Sequence, residues 1–303
     1  MTPLQFFRAV KAHWHPARFA RNVCFLMDHE IPDVLYQIKD ETIEDAMYEF
    51  EEDQTILPRL SIADARETID TLQNEPKSFA RFGDGEIAII QGKNGVFQTY
   101  DPRLAQKMKA ILNERRDDLY VGLNRSYFQS PFGYAERNHK YYRIHGTKLR
   151  RFFIRECDPD ARYLDASCFG AYFRFGDEFD YEGHYERILR LFEGKDLVLV
   201  AGEGVLEQLE ADVFERAASK RIIHGPKRNA FEAYDTLVEQ VRAQSSKDSL
   251  ICLVLGMTAT AMAADLADYG LMAWDIGHVA KDYDVYKRQV EKTQENMDAY
   301  WRD

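Results

Sequence analysis

The stretch RFGDGE, from Arg81 to Glu86, sets two carboxylates one residue apart with a glycine on each side of Asp84. In extended backbone Asp84 and Glu86 project to the same side and can address one divalent cation. In a helix they diverge by about 200°, at roughly 3.6 residues per turn, and share an ion poorly. Gly83 and Gly85 permit a tight turn and close approach of a ligand to the backbone. The plainer alternative is a polar strand-to-helix turn with Asp84 as its cap.

Three other places carry chemistry. In LMAWDIGH, Asp275 and His278 sit where an apolar run breaks; the aspartate suits a hydroxyl or a proton, the histidine a phosphate or a metal. In GMTAT, from Gly256 to Thr260, free backbone N–H groups and the hydroxyls of Thr258 and Thr260 suit a phosphate, although Thr258 could equally be only a helix cap. Gly202, Glu203 and Gly204 follow another apolar run. His224, Lys227, Arg228 and Asn229 form a loop whose positive charge suits a diphosphate, or is simply solvated. GxxxxGK[ST], GxGxxG and GxSxG are all absent, so an ATP-type phosphate loop, a dinucleotide fingerprint and a serine-hydrolase elbow are unsupported.

The elements that position these groups are best defined toward the C-terminus. DLVLVA (196–201) and LMAWDIG (271–277) read as buried strands, SLICLVLG (249–256) as another strand and RIIH (221–224) as a short one. Between them the spacing predicts helices over 205–218, 231–243 and 259–269, then a polar helical tail. Alternation of this kind means βαβ units and a parallel sheet, with ligands beyond the carboxyl ends of the strands. Upstream, a helix is expected from Ile62 to Leu72 with Ser61 as cap, strands at 78–82 and 119–123, and a helix over 102–113. The aromatic and basic stretch from Tyr127 to Phe153 fits no single pattern.

Residues 1–60 differ in character. Arg8, Lys11, Arg18 and Arg21 precede the first acid, Asp28, and Phe7, Val10 and Trp14 recur at helical spacing. They read as a helical extension that either packs on the main domain or docks on a membrane surface or partner. A net charge of −11 disfavours nucleic acid as a partner. No apolar run reaches the roughly 18–20 residues that span a bilayer, and the N-terminus lacks the features of a signal peptide. Four scattered cysteines without a CxxC pair read as reduced structural thiols, so a cytoplasmic protein is expected.

Together, SFARFGDGEIAIIQG, FQTYDPRL, LYVGL, GKDLVLVAGEG, RIIHGPKRNAFEAYD, LVLGMTATAMAADLADYG and AWDIGHVAKDYD resemble, in order over residues 61–290, a family of bacterial glycosyltransferases of the GT-D fold type. The family was first described as a domain of unknown function and includes a glucosyltransferase of streptococcal adhesin glycosylation. The resemblance implies a Rossmann-like α/β nucleotide-binding domain with a mostly parallel sheet over 61–303, the extension 1–60 preceding it. It implies a nucleoside diphosphate-sugar donor, UDP-linked in the best-known member, and Mn²⁺ or Mg²⁺ held by a DxE motif at Asp84 and Glu86.

Arg81, Gly83, Gly85, Gly202, Glu203, Lys227, Asn229, Thr258 and Thr260 then become the expected donor-binding residues, and Asp275, His278 and Glu86 the expected catalytic groups, with Asp275 the first choice of base. Met257 stands where the family has proline, AYFRFGD (171–177) replaces a short SRP-type segment, and Ala280 replaces an acid. The acceptor is expected to be a glycan, lipid-linked or protein species, delivered at the inner face of the membrane or in a complex through residues 1–60. A metal-dependent nucleotide-sugar hydrolase and a non-catalytic nucleotide-sugar-binding partner are the rival readings.

Overall fold

The computed structural model describes residues 60–128 and 135–302; the extension expected over residues 1–60 lies outside them except for Leu60. The chain runs β1 (Ser61–Ile62), α1 (Ala65–Asn74), β2 (Ser78–Phe82), α2 (Asp84–Ile90), α3 (Pro102–Asn113), β3 (Leu119–Leu123), α4 (Glu136–Glu156), β4 (Arg162–Asp165) and α5 (Tyr181–Phe192). It continues through β5 (Asp196–Gly202), β6 (Ser219–Gly225), α6 (Tyr234–Gln244), β7 (Ser249–Val254), α7 (Met257–Asp268), β8 (Met272–Asp275), α8 (Val279–Lys287) and α9 (Gln294–Arg302). The eight strands form one sheet in the order β1-β4-β3-β2-β8-β7-β5-β6. Every pairing is parallel.

Parallel strands between two helical layers are buried on both faces, which is why β5 and β7 read as unbroken apolar runs. Val198, Val200, Ile251 and Leu253 join one core with α2, α3, α6 and α7. Leu197, Leu199, Leu250, Cys252 and Trp274 join a second with α1, α5 and α8. The buried indole of Trp274 keeps a partner by donating from Nε1 to the Lys77 carbonyl at 2.8 Å. The cysteines at 157, 168 and 252 are free and buried, as expected of structural thiols.

Two expected elements differ. Ser61 and Ile62 form a strand beside β4 rather than opening a helix, and α1 starts later, at a capping box made by Asp64 and Glu67. The helix expected over 205–218 is a series of turns. The Asp284 carboxylate takes the N–H groups of Glu210 and Ala211 at 2.8 and 2.9 Å, and Asp212 takes that of Phe214 at 2.8 Å. These acids satisfy the backbone locally and displace the helical ladder.

Candidate active site

β2 and β8 lie side by side at the middle of the sheet, and both run out at the same edge. From β2 comes Arg81, whose Nη2 donates to Asp275 Oδ1 of β8 at 2.8 Å while Nη1 donates to the Ala166 carbonyl at 2.8 Å. Asp275 is further tied by the Gly277 N–H, at 3.0 Å on Oδ1, and by the Thr260 hydroxyl, at 3.4 Å on Oδ2. Thr260 also donates to the Arg81 carbonyl at 2.9 Å. With Asp275 only 4% exposed and Arg81 19%, loss of either charge would strand the other in a poorly solvated site. The pair sets the shape of the edge.

The GDGE turn is helical, and this corrects the extended geometry that would aim both carboxylates at one point. Gly83 is the N-cap of α2, with Asp84 and Glu86 in its first turn. Glu86 folds back so that Oε2 accepts the Gly83 N–H at 2.7 Å. Asp84 faces the other way and accepts the Tyr141 hydroxyl of α4 on Oδ2 at 2.7 Å. Burial, reinforced by the charge of Asp275 and more weakly by Asp84, pushes Glu86 up to about 7 against the pull of the Gly83 N–H. Burial also raises Asp275, although Arg81 opposes it.

Two acids, Asp275 and Glu86, therefore act on one guanidinium with Asp84 turned away beside them, so carboxylates outnumber the guanidinium. Among the described residues no group of three or more His, Cys, Asp or Glu side chains could hold a metal ion. Because Asp84 and Glu86 diverge, a divalent cation here would draw only a carboxylate or two from the chain and its remaining oxygens from a phosphate ligand, the usual manner of Mg²⁺.

His278 follows β8 half-buried, its ring 6.0 Å from that of Phe97, 5.9 Å from Tyr300 and 6.3 Å from Trp301. Burial, with Arg81 and Lys281, pushes it down to about 4, so the imidazole is neutral at physiological pH. Tyr141, the Ala166 carbonyl and this aromatic wall carried no legible signal. They come from a helix, a strand end and a C-terminal tail remote in sequence.

Other expected donor residues are placed differently. Thr258 and Thr260 are fully buried. Thr258 donates to Gln98 at 3.2 Å, and Thr260 is spent on Arg81 and Asp275, so neither hydroxyl is presented to a ligand. The cap of α7 is Gly256, not Thr258. Asn229, at φ 55°, ties the loop after β6 to the segment before α3, accepting the Thr99 N–H on Oδ1 at 2.8 Å and donating its own N–H to the Phe97 carbonyl at 2.8 Å.

Gly202 ends β5 and Glu203 follows it, and a Cβ on Gly202 would come within 2.7 Å of the Lys227 Cα. Glu203 and Lys227 are exposed. With neighbouring strands about 4.8 Å apart, β5 lies roughly 14 Å from β2, so these groups share the edge with Arg81 without touching it. An extended ligand could reach both. Met257, the residue in place of the family's proline, is 5% exposed and packs on Gly85: a Cβ there would meet its Cγ and Sδ at 3.2 Å.

A parallel sheet with a charged cluster at the carboxyl ends of its central strands defines an α/β protein whose ligand site belongs at that edge. The sequence model of the Glycosyltransferase GT-D fold family matches residues 79–300, and the chain belongs to this family. It is 28% identical over 222 residues to "Glycosyltransferase GlyD" of Streptococcus pneumoniae serotype 4 (strain ATCC BAA-334 / TIGR4), covering 73% of this chain and 27% of that protein. To "Probable glycosyl transferase Gly" of Streptococcus gordonii it is 27% identical, covering 76% and 33%. The chain thus spans a third or less of the length of these relatives.

Among solved structures, one described as "The highly conserved domain of unknown function 1792 has a distinct glycosyltransferase fold" superposes with a TM-score of 0.73 at 27% identity, covering 82% of this chain and 92% of that one. "A New Glycosyltransferase (DUF1792) from Streptococcus sanguinis" gives 0.72 at 25% identity, covering 79% and 92%.

Proposed function

We propose that the chain transfers a sugar from a nucleoside diphosphate sugar, a UDP-sugar being the first choice, to a hydroxyl of a glycan, glycolipid or glycoprotein. The observation that carries this reading is the surplus of carboxylate over guanidinium where β2 meets β8, in a fold shared with glycosyltransferases. Asp84 and Glu86 are the groups that would hold Mn²⁺ or Mg²⁺. Such an ion, when bound, neutralises charge that grows on the departing diphosphate. Arg81, fixed by Asp275, contributes a positive charge that does not move during the reaction.

Asp275 was the first choice of base, but its oxygens are engaged with Arg81, Gly277 and Thr260, and its role here is to hold Arg81. Proton acceptance from the acceptor hydroxyl falls to His278. Its imidazole is neutral, and the negative charge of a bound donor favours its protonated form.

Calorimetry with a UDP-sugar tests the donor and the metal together. Affinity should be at least tenfold higher in Mn²⁺ than in EDTA. Equal affinity in both contradicts the metal role of Asp84 and Glu86.

A further inference from the structure

Beside the GDGE turn, between α2 and α4, a cleft opens whose wall includes Asp84, Lys93, Tyr141, His145 and Lys148. Asp84 is common to this cleft and to the edge where the donor is placed above. Of the other lining groups named, Tyr141 reaches that edge through Asp84, and Lys93, His145 and Lys148 have no part in it. Tyr141 and His145 lie with ring centroids 4.8 Å apart, and the Tyr141 hydroxyl is fixed on Asp84 at 2.7 Å. An ordered aromatic face of this kind suits the C–H face of a sugar ring.

Lys93 follows α2 and Lys148 sits on α4, both exposed and both lining the cleft. Among the described residues neither lysine has an ion-pair partner, in a chain of net charge −11. A neutral sugar has no use for two ammonium groups, whereas an anionic one satisfies both.

We propose that this cleft is the acceptor subsite and that it takes a carbohydrate bearing a negative charge, a carboxylate or a phosphate, which runs past Asp84 toward the donor edge. This rests on the glycosyltransferase reading above and adds the chemical class of the acceptor. The anion lies between Lys93 and Lys148 and the ring against Tyr141. Exposed ion pairs are individually weak, so discrimination comes from two charges acting together with the aromatic face.

Binding of methyl β-glucuronide, glucose 1-phosphate, neutral methyl β-glucoside and inorganic phosphate to the full chain, measured by NMR titration, tests this. At least one anionic sugar should bind five- to tenfold tighter than the glucoside and tighter than phosphate alone. Preference for the glucuronide assigns a carboxylate, and preference for the sugar phosphate assigns a phosphate. K93A/K148A should abolish that preference while UDP affinity stays within about twofold.

The proposal is overturned if no sugar binds, if the glucoside binds as tightly as the anionic sugars, if phosphate alone matches them, or if the double variant keeps the preference. Loss of UDP affinity in the variant would give the lysines to the donor and overturn it too. Failure of UDP to bind wild type while the sugars still bind would instead count against the donor reading.

Discussion

Asp84 and Glu86 occupy the same helical turn, yet one faces Tyr141 and the other the Gly83 backbone. The residue types of the site were legible, because two carboxylates one residue apart, set among glycines at the end of a strand, are an unusual expense of charge. Their directions were not, since they depend on α2 beginning at Asp84 rather than after Glu86. The placing of Thr258 and Thr260 differs from expectation for a related reason: hydroxyls after a strand suit a phosphate, but here they bond Gln98, Arg81 and Asp275.

His278 provides a prediction at this scale. His278→Gln preserves size and polarity but cannot accept a proton, so transfer should fall at least a hundredfold while donor affinity changes less than threefold. Equal losses in binding and turnover would make His278 a donor contact instead. A second prediction concerns stability. His184 is 7% exposed, and burial holds it at about 4 against the usual 6.5. The unfolded chain takes up a proton below about 6.5 that the folded chain refuses until about 4, so stability is complete above that window and falls with pH through it. The full shift corresponds to roughly 3 kcal/mol. Denaturant melts at pH 7.5 and 5 should show the loss, and His184→Gln should flatten it; equal slopes in both proteins would contradict this origin.

At the scale of elements, strands bounded by glycine and helices with clear caps were readable. Asp101 with Pro102 opens α3, and its carboxylate accepts the N–H groups of Arg103 and Leu104 as a cap should. Helix α4 was opaque because its basic and aromatic residues follow no clean apolar stripe, and its position comes from tertiary contacts such as Tyr141 on Asp84. β1 is two residues long, too short to leave any period.

The turn after β8 makes the element-scale prediction. Gly277 has φ 51°, and a Cβ there would collide with the Arg81 guanidinium. Gly277→Ala should cost about 1–2 kcal/mol from the left-handed backbone alone. It should also displace Arg81, so activity should fall far more than stability. Wild-type turnover in a folded G277A protein would show that the position of Arg81 does not matter.

At the scale of the molecule, the parallel sheet collects side chains from distant segments at one edge: Arg81 from β2, Asp275 and His278 from β8 and its turn, and Phe97 and Tyr300 from segments remote in sequence. Alternating strands and helices made the sheet legible in the sequence, but strand order was not, and strand order is what brings residues 81 and 275 into contact. Among the described residues no helix is long and apolar enough to cross a membrane.

In the proposed function this edge transfers sugar from a nucleoside diphosphate sugar through Asp84 and Glu86. Its most direct measurement is nucleotide release and acceptor labelling from a panel of nucleotide sugars with Mn²⁺, comparing wild type with D84N and E86Q. Each variant keeps its hydrogen-bond acceptor for Tyr141 or Gly83 and loses only the charge. The account predicts acceptor-dependent release from one UDP-sugar, lowered at least a hundredfold in both variants with the melting temperature nearly unchanged. Near-normal transfer in both variants would contradict it.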